Sequence, residues 1–192
     1  MLYCGLRPGE AVALQWKDID FDNAILHVTK AKESGNNNVK GTKTEAGNRD
    51  IPIPGFLLEV LKNSKRIPFA TVLHQANDKD KPHTESSLRA AWRSFKRLVD
   101  IEMGAKVFRL QVIQHGEADN LFDSLTPYCL RHTYCTDLQD AGVPLNVAKY
   151  LMGHADIAMT ANIYTHTSDD MVKQAAKLTA DHVSKKQKKK RA

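Results

Sequence analysis

The chain has 192 residues, of which 42 % are hydrophobic and 26 % charged, with a formal net charge of +6 at pH 7. That length suffices for one ordinary domain with a real core, and the composition excludes collagen-like and low-complexity classes. No apolar run reaches membrane-spanning length and no secretory signal opens the chain, while the positive balance favours a polyanionic partner.

Met1 to Leu6 reads as the last turn of a helix that begins outside this chain. Pro8 then opens a helix through about Gln15, with Glu10 in its first turn, where a carboxylate suits the helix dipole. DIDFDN makes a turn. Ile25–Lys30 and Asn48–Ile53 read as strands and Val39 belongs to another, with Gly35, the Asn36–Asn38 run, Gly41 and Gly47 supplying turns. Together these predict a small antiparallel sheet. Phe56 to about Ser64 is a short helix, and 66–82 shows no clear pattern. From Leu88, apolar residues recur at Ala91, Trp92, Phe95, Leu98 and Val99, with Arg89, Arg93, Lys96 and Arg97 on the polar sides. Trp16 and Trp92 are expected in the core. Val107–Gln114 alternates like a strand or hairpin arm, and HGEADN after it reads as an inserted loop.

Thr126 and Pro127 read as N-cap and N1 of a helix ending near Gly142. Leu130, Tyr134 and Leu138 mark its core face, while Tyr128 and Arg131, three apart, share another. A short helix from about Pro144 to Met152 stops at Gly153, which puts His154 on the turn. Asp156 caps a third helix, with Tyr164 about two turns along it, so three helix ends converge on one spot. A final helix, about Asp169–His182, carries Met171, Ala175 and Leu178 as an apolar stripe. The expected organisation is one domain over 1–182, N-terminally incomplete, and a basic tail over 183–192. No internal repeat is visible.

Cys4, Cys129 and Cys135 form no disulfide framework, and an odd count fits reduced thiols in a cytosol. Cys129, His132 and Cys135 invite a zinc reading, but a fourth ligand is missing and the spacing fits no common site. Small buried thiols are the better reading, and no metal or cofactor is expected.

Arg131, His154 and Tyr164 carry the chemistry. A guanidinium grips phosphate as a fork, an imidazole donates a hydrogen bond, and a phenol can attack. Together they suggest cutting a nucleic-acid backbone without a metal. The segments that hold them, LRHTYCT, LMGH and ANIYTH, resemble the second box, the third box and the nucleophile segment of the tyrosine recombinase (phage integrase) catalytic domain, as in phage and conjugative-transposon integrases. YCGLRPGEAVALQWKDIDFD resembles the first box, around Arg7. GTKTEAGNRDIPIP resembles the hairpin bearing the family's lysine, which falls at Lys43. The five segments keep the family's order from Leu2 to Asp170.

The resemblance implies a mostly α domain with a small antiparallel β-sheet (α+β), as in type IB topoisomerases. It implies site-specific strand cleavage and rejoining through a 3′-phosphotyrosine at Tyr164. Arg7 and Arg131 would stabilise the charge gathered on a pentacoordinate phosphorane. His154 would bond a non-bridging oxygen, and Lys43, with Lys40 as rival, would protonate the leaving 5′ oxygen. Where the family usually has histidine this chain has Tyr128. A phenol donates a hydrogen bond but does not readily take a proton near pH 7, which leaves the general base unassigned. Glu10 is read as structural, orienting Arg7 or capping backbone, and His132 as structural. Implied partners are double-stranded DNA and further protomers in a synaptic complex, a tetramer on DNA. No membrane partner is implied, and the location is bacterial cytoplasm at the nucleoid. A DNA-clamping domain would precede the segment. The competing readings are a truncated remnant that holds DNA without cutting and topoisomerase-like relaxation without site choice. RNA binding lacks any stacking platform.

Overall fold

The computed structural model describes residues 1–33, 38–42, 45–75, 78–108, 111–114 and 125–164, together with Lys173 and Lys177. Lys43, the HGEADN insertion and the basic tail lie outside the described residues. So does the final helix, apart from Lys173 and Lys177, which are helical.

Helix α1 (Pro8–Ala13) starts on the proline, as the sequence suggests, but stops two residues before Gln15. The cause is a competing partner. Leu14 O accepts from Val72 N at 2.9 Å and Gln15 bridges Thr71, so the chain turns extended there. After a short 3₁₀ turn, Trp16–Asp18, come β1 (Ile19–Asp20), β2 (Ile25–Val28), β3 (Lys30–Lys32), β4 (Val39–Gly41) and β5 (Arg49–Pro52). The predicted strand Ile25–Lys30 is therefore two strands. Up to Val28 it pairs with β5 in the antiparallel sheet β1-β2-β5, and from Lys30 it pairs with β4. Leu26 faces Ile51 and Val28 faces Arg49 across β2 and β5. Alternation along β5 buries Arg49 and Ile51 and exposes Asp50 and Pro52.

Helix α2 (Gly55–Ser64) leads to a small hairpin, β6 (His74–Gln75) and β7 (Asp78–Pro82), in the stretch without a sequence pattern. Helix α3 (Glu85–Glu102) begins at Thr84, whose side chain accepts from Ser87 N. A second hairpin follows, β8 (Lys106–Phe108) and β9 (Gln111–Gln114), so the stretch expected as one strand or hairpin arm supplies two paired strands. The C-terminal part is helical: α4 (Pro127–Asp140), α5 (Leu145–Met152) and α6 (Ala158–Ala161). Gly142 and Gly153 take positive φ at the ends of α4 and α5, as their placement after the last apolar residue suggests. Asp156 caps α6 by accepting from Ala158 N at 2.9 Å. That helix is shorter than predicted, and Tyr164 follows it in a turn, bonded from its N–H to Thr160 O.

Two apolar clusters result. One gathers Leu6, Leu14, Trp16, Leu26, Ile51 and their neighbours under the sheet. The other gathers Tyr134, Cys135, Leu151 and Met152, with Leu138, Ile163 and Tyr164 packed against it. Trp16 is buried in the first cluster, whereas Trp92 is only partly buried, stacked on Phe95 and donating to Leu125 O. Among the described residues no helix is long and apolar enough to cross a membrane. None of their His, Cys, Asp and Glu groups is arranged to hold a metal ion, Cys129, His132 and Cys135 included.

Candidate functional site

The two clusters meet at the end of α5, and that end organises the site. A helix leaves its last carbonyls without intrahelical partners, and the aligned peptide dipoles make them attractive to cations. Three successive carbonyls are each taken by a different arginine. Leu151 O accepts from Arg49 Nε at 2.8 Å, Met152 O accepts from Arg131 Nη2, and Gly153 O accepts from Arg7 Nη2 at 2.7 Å. The arginines come from β5, α4 and the residue before α1, so one turn gathers three distant segments.

Arg131 lies on the buried side of α4, and its other nitrogen donates to Gly5 O. Burial first, then the neighbouring Arg7 and Arg49, lower its pKa to about 10, which still leaves it charged at pH 7. Arg7 is one-third exposed and pairs through Nη1 with Glu10 Oε1 at 2.8 Å. Its backbone N–H also donates to Glu10 Oε2 at 2.8 Å. Glu10 is buried, and burial alone would raise its carboxyl pKa. The Arg49 and Arg7 guanidiniums outweigh that and hold it below the usual carboxylate range. Glu10 thus contacts both groups the sequence reading named for it, the Arg7 guanidinium and the backbone at the start of α1.

His154 is buried directly after the Gly153 turn, with Nδ1 2.8 Å from Thr160 Oγ1. Burial first, then Arg131, Arg7, Arg49 and His132, push its pKa down to about 4, so the ring is neutral at pH 7. Gly153 adopts φ +61°, and a Cβ there would sit 2.7 Å from Arg49 Nη1 and 3.0 Å from Ala46 O. A tight turn and a close side-chain approach both require glycine at this position.

Beside the turn opens a cavity of about 590 Å³, lined among others by Arg7, Glu10, Lys32, Lys40, His83, Tyr128 and Gly153. Tyr128 is exposed at its edge. Lys40, the rival lysine, also lines it and pairs with Glu33 at 3.3 Å. His132 is exposed on α4.

Tyr164 departs from the predicted convergence. Its ring packs against the second cluster and does not line the cavity. Its hydroxyl is buried and has no hydrogen-bond partner among the described residues. Burial, with Cys135 and Tyr134 nearby, pushes its pKa up to about 12. The reason is apolar packing: a helix shorter than expected folds Tyr164 back onto α4 instead of carrying it toward the arginines.

Sequence reasoning brought Arg7, Arg131 and His154 together correctly but missed Arg49 and Thr160. The signal for Arg49 was present. In RDIPI it alternates in phase with Ile51 and Ile53, so a charged side chain is directed into the core. Thr160 is fully buried beneath His154 and carries no comparable pattern.

Known proteins share this arrangement of the chain. A XerC-like tyrosine recombinase from Caldanaerobacter subterraneus subsp. tengcongensis is 33 % identical over 185 residues, covering 84 % of this chain and 42 % of that protein. The transposase of transposon Tn916 from Enterococcus faecalis is 28 % identical over 176 residues, covering 88 % of this chain and 41 % of that protein. The chain thus spans about two fifths of the length of these curated relatives. Among solved structures, the Tn1549 transposon integrase in complex with transposon right end DNA matches with a TM-score of 0.65 and 28 % identity. That match covers 93 % of this chain and 56 % of that one. XerA recombinase, at 22 % identity and a TM-score of 0.53 over 93 % of this chain and 54 % of that one, shares the fold. The model of the phage integrase family matches residues 1–171, so this chain belongs to that family.

Proposed function

We propose that this domain cuts and rejoins double-stranded DNA at a specific site, without a metal, through a covalent 3′-phosphotyrosine at Tyr164. The observation that carries the reading is the gathering of Arg7, Arg131 and His154 at the end of α5, with Arg7 at the wall of an open cavity. Two guanidiniums and a neutral imidazole are suited to a phosphorane, whose added negative charge sits on non-bridging oxygens. Thr160 holds Nδ1 of His154, which leaves Nε2 for a phosphate oxygen.

In the step proposed, the Tyr164 hydroxyl releases its proton to solvent as its oxygen bonds to phosphorus, and the bond to the 5′ oxygen breaks. The 5′ oxygen takes a proton from Lys43 and departs as a hydroxyl. Rejoining reverses the step, so the phosphodiester energy is kept in the tyrosyl link. Tyr164 must first leave its place against Tyr134 and Cys135. DNA and neighbouring protomers, four in a full synaptic assembly, are the partners that would draw it out.

A second reading rests on one observation. The Tyr164 hydroxyl is buried, unpartnered among the described residues and hard to ionise, which suits a domain that holds DNA without cutting it. A nicked DNA duplex that traps the covalent intermediate separates the two. A denaturation-resistant protein–DNA adduct, lost in Tyr164→Phe while DNA binding persists, supports cleavage. An undiminished adduct in that variant places the nucleophile elsewhere. Binding with no adduct, both for this chain and for a longer protein containing it, favours the holding role.

A further inference from the structure

Arg49 is fully buried, carries a charge and lines no part of the cavity, so it is not placed to touch DNA. Two of its three partners, Glu10 and Gly47, do line the cavity. Nη1 and Nη2 form a fork on Glu10, at 3.0 Å to Oε1 and 2.8 Å to Oε2. Nε holds Leu151 O at 2.8 Å and Nη1 also reaches Gly47 O at 3.1 Å. The same two Glu10 oxygens serve Arg7, Oε1 through the guanidinium and Oε2 through the backbone N–H. Each carboxylate oxygen therefore has one bond to Arg49 and one to Arg7.

We infer that Arg49 is a positioning residue for Arg7: it fixes the plane of the Glu10 carboxylate, and through it the direction of the Arg7 guanidinium at the cavity wall. Glu10 has three single bonds to rotate about, and Arg7 by itself touches it from one side only. The fork from Arg49 closes the opposite side and ties the pair to the end of α5. That end supplies the Gly153 carbonyl on which the other Arg7 nitrogen rests. A lysine at this place keeps the charge but has no fork. It can reach one Glu10 oxygen or the Leu151 carbonyl, not both oxygens in plane.

This inference rests on the cleavage reading for its kinetic test but not for its spectroscopic one. In Arg49→Lys the guanidinium resonances of Arg7, slow to rotate while held by Glu10 and Gly153, should broaden or merge in a nitrogen–proton NMR spectrum. The backbone amide spectrum should stay dispersed, and DNA affinity should stay within about twofold. The rate of adduct formation should fall about 10- to 100-fold, as for a misplaced catalytic group. In an Arg7→Lys background the same substitution should cost little more, because both changes act through one guanidinium. A merely structural role predicts that the two losses multiply, and that result, or unchanged Arg7 resonances, overturns the inference. Should R49K not fold, E10Q/R49Q removes both members of the buried Glu10–Arg49 pair together and is read by the same spectra. If the native chain forms no adduct at all, the cleavage reading fails, and the Arg7 resonances alone decide the role of Arg49.

Discussion

Arg7, Arg131 and Arg49 show how one residue type takes three roles from burial and partners alone. Arg131 is enclosed and bonded to two carbonyls, Arg49 is enclosed and paired with a carboxylate, and Arg7 keeps one face toward solvent. His154 beside them is held neutral, with a sign that can be measured. Its folded pKa of about 4 lies below its ordinary 6.5, so between those values the unfolded chain binds a proton that the folded chain refuses. Its contribution is complete above pH 6.5 and declines toward pH 4, by about 3 kcal/mol at most. Glu10, with its lowered pKa, contributes above the usual carboxylate range and loses that contribution at still lower pH. Urea unfolding at pH 7 and pH 4.5 should therefore show a smaller drop for His154→Asn than for the native chain. A second prediction concerns the general acid. Lys43→Ala should slow cleavage and be largely rescued by a 5′-bridging sulfur at the scissile phosphate, since a thiolate leaves without a proton. Arg131→Ala should gain nothing from sulfur. Rescue of Lys40→Ala instead would move the role to the lysine that lines the cavity beside Glu33.

At the scale of elements, the end of α5 carries the most consequence per residue. Its last two carbonyls and that of Gly153 just after it hold three arginines, and this glycine admits the Arg49 guanidinium. Gly153→Ala should destabilise the fold by about 1–3 kcal/mol, from the left-handed backbone and the crowded Cβ together. Thermal and urea unfolding check this, and an unchanged midpoint would show that Arg49 can yield without cost. Element types were largely legible in the sequence. Pro8, Pro127, Gly142 and Gly153 mark helix ends by local backbone chemistry, and the 3.6 and 2.0 periods mark α3 and β5. Lengths were less legible where a distant segment competes for the backbone. Leu14 leaves α1 for Val72, and Thr29 divides one apolar run between two partners.

For the whole molecule, Arg49 ties β5, which carries Ile51 of the first cluster, to the carbonyl of Leu151 in the second, and Arg131 ties α4 to the carbonyl of Gly5. The net charge of +6 predicts DNA binding by this chain that is weak and falls steeply with salt, because each phosphate contact releases counterions. A titration of duplex DNA at low and moderate salt checks it, and tight binding unchanged by salt would contradict it. A related titration addresses Tyr164. Tyr134 and Tyr164 are both pushed up to about 12, so Tyr164→Phe should remove a late-ionising phenol from the DNA-free chain. The sequence by itself determined the family, the order of its motifs and the helix-end turn at Gly153–His154 to which Arg7 and Arg131 bond, because motif spacing and helix-end signals are local properties of the chain. Only the tertiary structure decided that Arg49 shares Glu10 with Arg7 and that Tyr164 packs away from the cavity. Both depend on which faces of distant elements bury one another, and no local spacing encodes that choice.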